Sequence, residues 1–383
     1  MSQILIPRIV VRPILPPPLE IGARVKPQYL HWQVGRYRKR LVFGPGGRGA
    51  ADIWVPEREG EQHNLILNQF YDSLIPQHGF VGSSQWAAVG TGSTAPNVND
   101  TQLANEIGTS AAPRRTNTVP SGDSNAIEPL ATHGVYDIRR VLEFTEAQVG
   151  GLNLTEWGFG PTSARNGPIM TRELFRDASN NPVVLTLATD QRLRLVYRYR
   201  ITLSPVTAQP ITVNIGGAGP GDRTAQFVLT GMFSTHDSSF NAYFGVDYFG
   251  IVLNSFDGTF RQRRGDLIVA DALARGTTFQ GAGMVVVSSS ALPLNYIHTT
   301  EFATGAVKSL NFAAASGRSR QASVLFNTNE AVMTIRSVAI SANIRTTNPH
   351  SPTANLVFDN GQEFSKDNQH RLSVANWQIT WGP

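Results

Sequence analysis

The chain has no cysteine among its 383 residues. That excludes disulfides, thiol nucleophiles and every cysteine-based zinc or iron–sulfur site. Charge is scarce too: Asp, Glu, Lys and Arg make up 16%, against roughly 25% in an average soluble domain. Gly, Thr, Ser, Asn and Gln fill the gap, whereas a helical enzyme would carry more Glu, Lys and Ala. No apolar run approaches the ~20 residues of a spanning helix, so no membrane insertion is expected. The net charge of +5 is mild for this length, so no specific nucleic-acid binding is expected either. No repeat of fixed period is visible. The opening MSQILIPRIVVRPILPPPLE is broken by prolines and lacks the basic start and cleavage site of a signal peptide. Synthesis in the cytoplasm without a secretion signal is the expectation.

Catalytic and metal-binding patterns are equally thin. Gly44–Gly49 is glycine-rich but lacks the Gly-Lys-Ser/Thr ending of a phosphate loop. Thr235-His236-Asp237-Ser238 holds triad residue types side by side, but triad members converge from separate elements, so adjacency carries nothing. The eight histidines show no pair at ligand spacing. Asp359-Asn360-Gly361 with Glu363 lacks the alternating acids of a calcium loop and reads as a turn. No cofactor and no enzymatic activity are expected.

What is present reads as β. Hydrophobic residues make up 41%, with 35 Gly and 23 Pro to punctuate short strands. The clearest strand is 192–203. Leu193, Leu195, Tyr197, Tyr199, Ile201 and Leu203 alternate with Arg192, Arg194, Arg198 and Arg200. That alternation sets one face on a core and the other, an arginine stripe, in water. Further strands are expected at 135–145, 152–159, 211–215, 225–232, 246–254, 283–288, 322–326, 332–345 and 371–381. In the last, apolar parity switches between Val374 and Trp377, which predicts a β-bulge. One helix is expected over 61–75, from Ile66, Phe70 and Leu74 at i+4 spacing.

The expected architecture is all-β, with tandem β-sandwich or jelly-roll-like domains, one or two short helices and an extended N-terminal arm. Its divisions are a Pro-rich docking arm over 1–60, a β-sandwich over 61–203 and a second β-sandwich over 204–383, with Ser204-Pro205 as the boundary. In the arm, Ile4, Ile6, Ile9, Val11, Ile14 and Leu15 are too apolar for a solvated tail. A neighbouring subunit or the chain's own body must cover them. With Arg36, Arg38 and Arg40 they are the candidate assembly contacts. Aromatics crowd into 233–249; Phe240, Tyr243 and Tyr248, with Arg261 and Arg263, are candidate receptor contacts.

Several segments taken in order match a known pattern. Asn64-Leu-Ile-Leu-Asn68 precedes Trp86-Ala-Ala-Val-Gly-Thr-Gly-Ser-Thr-Ala-Pro96 and Asp100-Thr-Gln-Leu-Ala-Asn-Glu-Ile107. Leu154-Thr-Glu-Trp-Gly-Phe159, Thr171-Arg-Glu-Leu-Phe175 and Asn181-Pro-Val-Val-Leu-Thr186 follow. This resembles the tail-fibre and tail-accessory proteins of tailed bacteriophages, with their Gly-Thr-Gly-x-Thr-x-Pro loop and Asp-Thr-x-Leu turn. The resemblance covers 64–203 well and 204–383 only in general character. It implies a virion assembly component with no catalytic residues to carry over. Gly90 and Gly92 would allow a tight turn, and Asp100 would cap a helical turn that tucks Leu103 into the core.

A homo-oligomeric virion protein is therefore expected, in a tail fibre, tail tip or neck. It would touch other virion proteins and copies of itself. Two alternatives are a receptor-binding protein for host-surface glycan, through the C-terminal domain, and a head decoration protein.

Overall fold

The computed structural model describes residues 10–15, 19–44, 47–73, 82–130, 134–215, 221–229, 284–295, 305–310, 316–342 and 351–383. The strands are β1 (Val10–Leu15), β2 (Leu19–Gly44), β3 (Gly47–Gln62), β4 (Leu65–Ile66), β5 (Trp86–Gly90), β6 (Ala126–Pro129) and β7 (Val135–Phe144). Next come β8 (Asn153–Leu154), β9 (Glu156–Gly160), β10 (Thr171–Leu174), β11 (Leu185–Thr186), β12 (Arg192–Ser204), β13 (Gln209–Ile215) and β14 (Asp222–Leu229). The last are β15 (Met284–Ser288), β16 (Ala306–Ser309), β17 (Ser319–Phe326), β18 (Met333–Ile335), β19 (Ser337–Ala342), β20 (Ser351–Phe358), β21 (Phe364–Lys366) and β22 (His370–Gly382). Two short helices, α1 (Asn68–Ser73) and α2 (Glu146–Val149), complete the described elements. The chain is all-β.

Fourteen strands form one sheet in the order β16-β15-β19-β20-β14-β13-β1-β22-β2-β12-β7-β6, with β17 also on β22 and β3 also on β2. Strands β2 and β22 each pair with three neighbours. Leu19–Arg24 run parallel to Trp377–Gly382 of β22, Gly22–Gly35 run antiparallel to β12, and Leu30–Gly44 pair with β3 in a long hairpin. Strand β1 lies between β22 and β13. So the described part of the segment expected as a docking arm is extended, and most of it lies in the chain's own main sheet. Only Arg36–Gly44 and Gly47–Val55 run on past the last β12 pair, Arg192 with Gly35. They make a two-stranded ribbon of nine paired rows, about 30 Å long at ~3.3 Å per residue.

A four-stranded sheet, β4-β10-β9-β5, packs on one face of the main sheet. Every odd position of β12 from Leu193 to Leu203 is at most 1% exposed, as the alternation predicts. Against this face lie Trp157 and Phe159 of β9, with Phe159 stacked on Tyr197 at 4.7 Å. Phe70 of α1 meets Tyr199 at 6.0 Å, and Trp32 of β2 meets Phe175 at 6.3 Å. The layers thus join through aromatic pairs, each worth about 0.5–1.5 kcal/mol beyond its burial. The same core continues past Ser204 to Phe227 and Trp377, whose rings are 5.9 Å apart.

The expected bulge in the last strand is present. Ala322 pairs with Trp377 but Val324 pairs with Val374, so β22 carries one extra residue between them. Val374 and Trp377 are thereby both buried. The helix expected over 61–75 shrinks to α1. Ile66 belongs to the main core and Leu67 to a small cluster on the far side of the four-stranded sheet. Adjacent residues facing opposite ways require extended backbone there. The strand expected at 246–254 lies outside the described residues.

Replacing Phe159 with Ala is expected to lower unfolding free energy by about 3–5 kcal/mol in urea titration. Val184→Ala, at a site 55% exposed, is expected to change it by less than about 0.5 kcal/mol.

Candidate functional site: a buried carboxylate clamp and a charged sheet face

Glu156 opens β9 on the face of the small sheet turned away from the core, opposite Gly90 of β5. It is fully buried. Its Oε1 accepts the N–H groups of Gly92 (3.1 Å) and Asn105 (2.7 Å). Its Oε2 accepts the N–H of Ala104 (3.0 Å) and the Nε–H of Arg172 (3.0 Å). Arg172, one strand over on β10, also donates to Asp100 and to the carbonyl of Thr94 (2.9 Å). One carboxylate thus gathers the loop that leaves β5, the 104–105 backbone and β10.

Gly90 and Gly92 have another role than the expected turn. Neither has a positive φ. A Cβ on Gly90 would sit 2.5 Å from Glu156 Oε1, and on Gly92 2.4 Å. The glycines make room for the carboxylate. Asp100 caps no helical turn; 101–107 are irregular, with a bridge from Glu106 to Gly90. Its carboxylate instead accepts the Asn97 N–H and binds Arg172. Leu103 is buried as expected, against Leu67, Ala88 and Ile169.

A second buried pair ties down the rest of the loop. Glu106 receives Arg115 through two hydrogen bonds of 2.9 and 2.8 Å. Arg115 also donates to Gly167 O (2.7 Å), and the Asn166 N–H donates to Glu106 (3.0 Å). Both carboxylates are filled by internal donors and shut off from water. They fix backbone rather than meet a ligand.

On the opposite face of the main sheet the arginine stripe of β12 is paired throughout. Arg192 and Arg194 share Glu143 at 3.0 and 2.9 Å, Arg198 binds Glu128, and Arg200 holds Asp137 through two bonds of 2.8 and 3.0 Å. Arg194 also stacks on Trp54 of β3 at 4.4 Å. Where β3 leaves the sheet, Glu57 binds Arg36, Arg38 and Gln191. These three donors hold its carboxyl down at about 2. Arg140, on the core side of β7, is the buried cation that a reading for charged faces misses. Its Nε–H donates to Ser84 O at 3.0 Å, and burial lowers its pKa to about 10. The sequence signal is a lone Arg in the apolar register Tyr136, Ile138, Leu142, Phe144.

The candidate contacts separate. Val11, Ile14 and Leu15 lie on β1 inside the sheet. Arg36 and Arg38 sit at the root of the ribbon on Glu57, and Arg40 is exposed farther along it. Ile4, Ile6, Ile9, Phe240, Tyr243, Tyr248, Arg261 and Arg263 lie outside the described residues, as does the 235–238 tetrapeptide. Glu363 pairs with Arg336, and Gly361 takes a turn at φ 76°. Among the described residues no three acids or histidines gather as a metal site would require.

Together these features define an all-β, sandwich-like protein built around a clamped loop. Comparisons with protein-family models, with curated proteins and with solved structures find no match.

Glu156→Gln is expected to destabilise by about 3–5 kcal/mol, because it breaks a buried pair and leaves Arg172 partly uncompensated. Gly92→Ala is expected to cost about 1–3 kcal/mol through overpacking; denaturant titration reads both. For Glu57 the folded-state pKa lies below its ordinary value of 4.5. Its stabilisation is therefore full above about pH 5 and fades as pH falls toward 2. The melting-temperature gap between the wild type and Glu57→Gln is expected to be constant above pH 5 and to close below it. A gap that widens in acid would contradict the pairing.

Proposed function

We propose that the chain is a structural component of a bacteriophage virion, of the tail-fibre, tail-tip or neck type, that works by holding and touching other proteins. One observation carries this reading. The short motifs behind the phage-tail resemblance are scattered over about a hundred residues, yet they meet in one buried unit. Gly90 and Gly92 make space for Glu156; Glu156 binds Arg172; Arg172 binds Asp100; Leu103 fills the cluster beside them. The residues of these segments depend on one another physically and form one structural cassette, which supports reading them as a single motif. The carboxylates of that cassette are consumed internally, which suits a scaffold.

The reading also places the assembly contacts. Residues 19–35 are integral to the main sheet, so among the described residues the surface proposed for neighbours is the ribbon. Other virion proteins and copies of the chain itself are the proposed partners.

The test is biochemical and visual. The chain is expected to copurify with particles through a density gradient, at a fixed ratio to the major structural proteins. A gold-labelled antibody against it is expected to decorate the tail or neck. A chain that stays in the soluble lysate, free of particles, would falsify the virion assignment. Label confined to the head shell would overturn the tail assignment in favour of a decoration protein.

A further inference from the structure

The ribbon has an edge with no partner among the described residues: β3 pairs with β2 and with no other strand. Unpaired edges are templates for another strand, and proteins blunt them with charge and proline. From Pro56 onward β3 is blunted in this way by Pro56, Glu57, Arg58, Glu59 and Glu61. The free edge of β2 on the ribbon carries Arg36, Arg38, Lys39 and Arg40. Gly47–Val55 of β3 is different. It has no proline, and its two charges, Arg48 and Asp52, are of opposite sign. A two-stranded ribbon with no third strand is marginal in water; beyond Tyr37 and Trp54, which rest on Glu143 and Arg194, Leu41 on this one is 69% exposed.

The order of residues along that edge identifies its occupant. We infer that Gly47–Val55 pairs with the same segment of a second copy of this chain, antiparallel and two-fold about Ala51. A two-fold axis through an antiparallel pair keeps the faces of the sheet in register only when it centres on a residue, because opposite residues share a face. Centring on Ala51 sets Gly47 opposite Val55, Gly49 opposite Ile53, Arg48 opposite Trp54 and Ala50 opposite Asp52. Each glycine then faces a β-branched residue, which supplies the packing that the glycine lacks. No like charges meet. Centring on Asp52 would put two carboxylates face to face. Centring on Ile53 would bring Pro56, which has no N–H to give, into the ladder. The self-complementary register is thus the one that uses the whole unguarded stretch and stops at Pro56. The pairing makes one continuous four-stranded ribbon from two hairpins.

This inference deepens the assembly reading, and its test is independent of particles. The chain has no cysteine, so single-cysteine variants report one position each. Opposite Cα atoms in an antiparallel pair lie about 4.5–5.5 Å apart, within disulfide reach. Purified full-length Ala51→Cys is expected to form a covalent dimer under mild oxidation, seen as a doubling of mass on a non-reducing gel. Lys39→Cys, on the other strand of the same ribbon, is expected to stay monomeric. Ala51→Asp sets like charges opposite each other and is expected to halve the native mass while the β circular-dichroism signal stays intact. The inference is overturned if Ala51→Cys stays monomeric, or if Lys39→Cys dimerises as readily. It is overturned equally if Ala51→Cys cross-links only to a different virion protein in purified particles. Absence of the wild-type chain from particles would overturn the virion reading and leave the self-pairing standing.

Discussion

Strand β2 supplies the constraint on which the rest depends. Its backbone serves three neighbours in turn: the C-terminal strand, then β12, then its own hairpin partner β3. Every buried N–H and C=O along it must find a partner, and those partners come from both ends of the sequence. The main sheet therefore cannot close until Leu19–Arg24 have docked beside Trp377–Gly382. That pairing joins segments some 360 residues apart, and loop closure at such separation slows folding more than it weakens the product. The apolar alternate positions from Leu19 to Val25 follow from this placement. Leu19, Ile21, Ala23 and Val25 are each at most 6% exposed, because they line the seam where the two ends of the chain meet.

The second principle is how a charge-poor chain uses its charges. On the main sheet, carboxylates of β6, β7 and α2 sit on the arginines of β12. The exposed pairs among them, Arg198–Glu128 and Arg192–Glu146, contribute about 0–1 kcal/mol each, whereas Arg194 and Glu143 are buried together. The larger effect of the exposed pairs is to keep the outer face polar and unsuited to stacking. The buried pairs follow a different logic. A carboxylate taken out of water loses several kcal/mol of solvation, which is offset only when its lone pairs are filled. Glu156 meets that condition with three backbone N–H groups and a guanidinium. Any displacement of the loop leaves some of these donors and acceptors empty, so one conformation is strongly selected.

Legibility in the sequence followed the range of the interaction. Strict alternation in β12 identified its buried face residue by residue, since period 2 is local. The parity switch in β22 located a bulge for the same reason. The ribbon root was harder to read: Arg36 and Arg38 stood out as basic, but Glu57 and Asp190, which bind them, come from other segments. Helix 61–75 failed because i+4 spacing of Ile66, Phe70 and Leu74 is a local signal, whereas Ile66 and Leu67 are drawn to cores on opposite sides of a sheet. The glycines of the Gly-Thr-Gly loop were correctly singled out and wrongly explained. Turn chemistry is the usual reason for glycine, and only a structure shows a carboxylate from sixty residues away occupying the missing Cβ.

The clamp and the ribbon make one division of labour. The clamp fixes an irregular loop against a small sheet, and the small sheet presses aromatic rings onto β12. With that face covered and the other studded with ion pairs, neither face of the sheet's N-terminal half invites association. The self-pairing proposed above uses an edge instead. Edges elsewhere on the hairpin carry proline or like charges, which repel a second strand. The stretch from Gly47 to Val55 alone keeps small and β-branched residues with nearly balanced charge. Along the described hairpin, the proposed self-pairing thus falls on the nine residues whose edge carries neither proline nor like charges. Backbone pairing is directional, so the proposed contact would set the orientation of the neighbour as well as its presence.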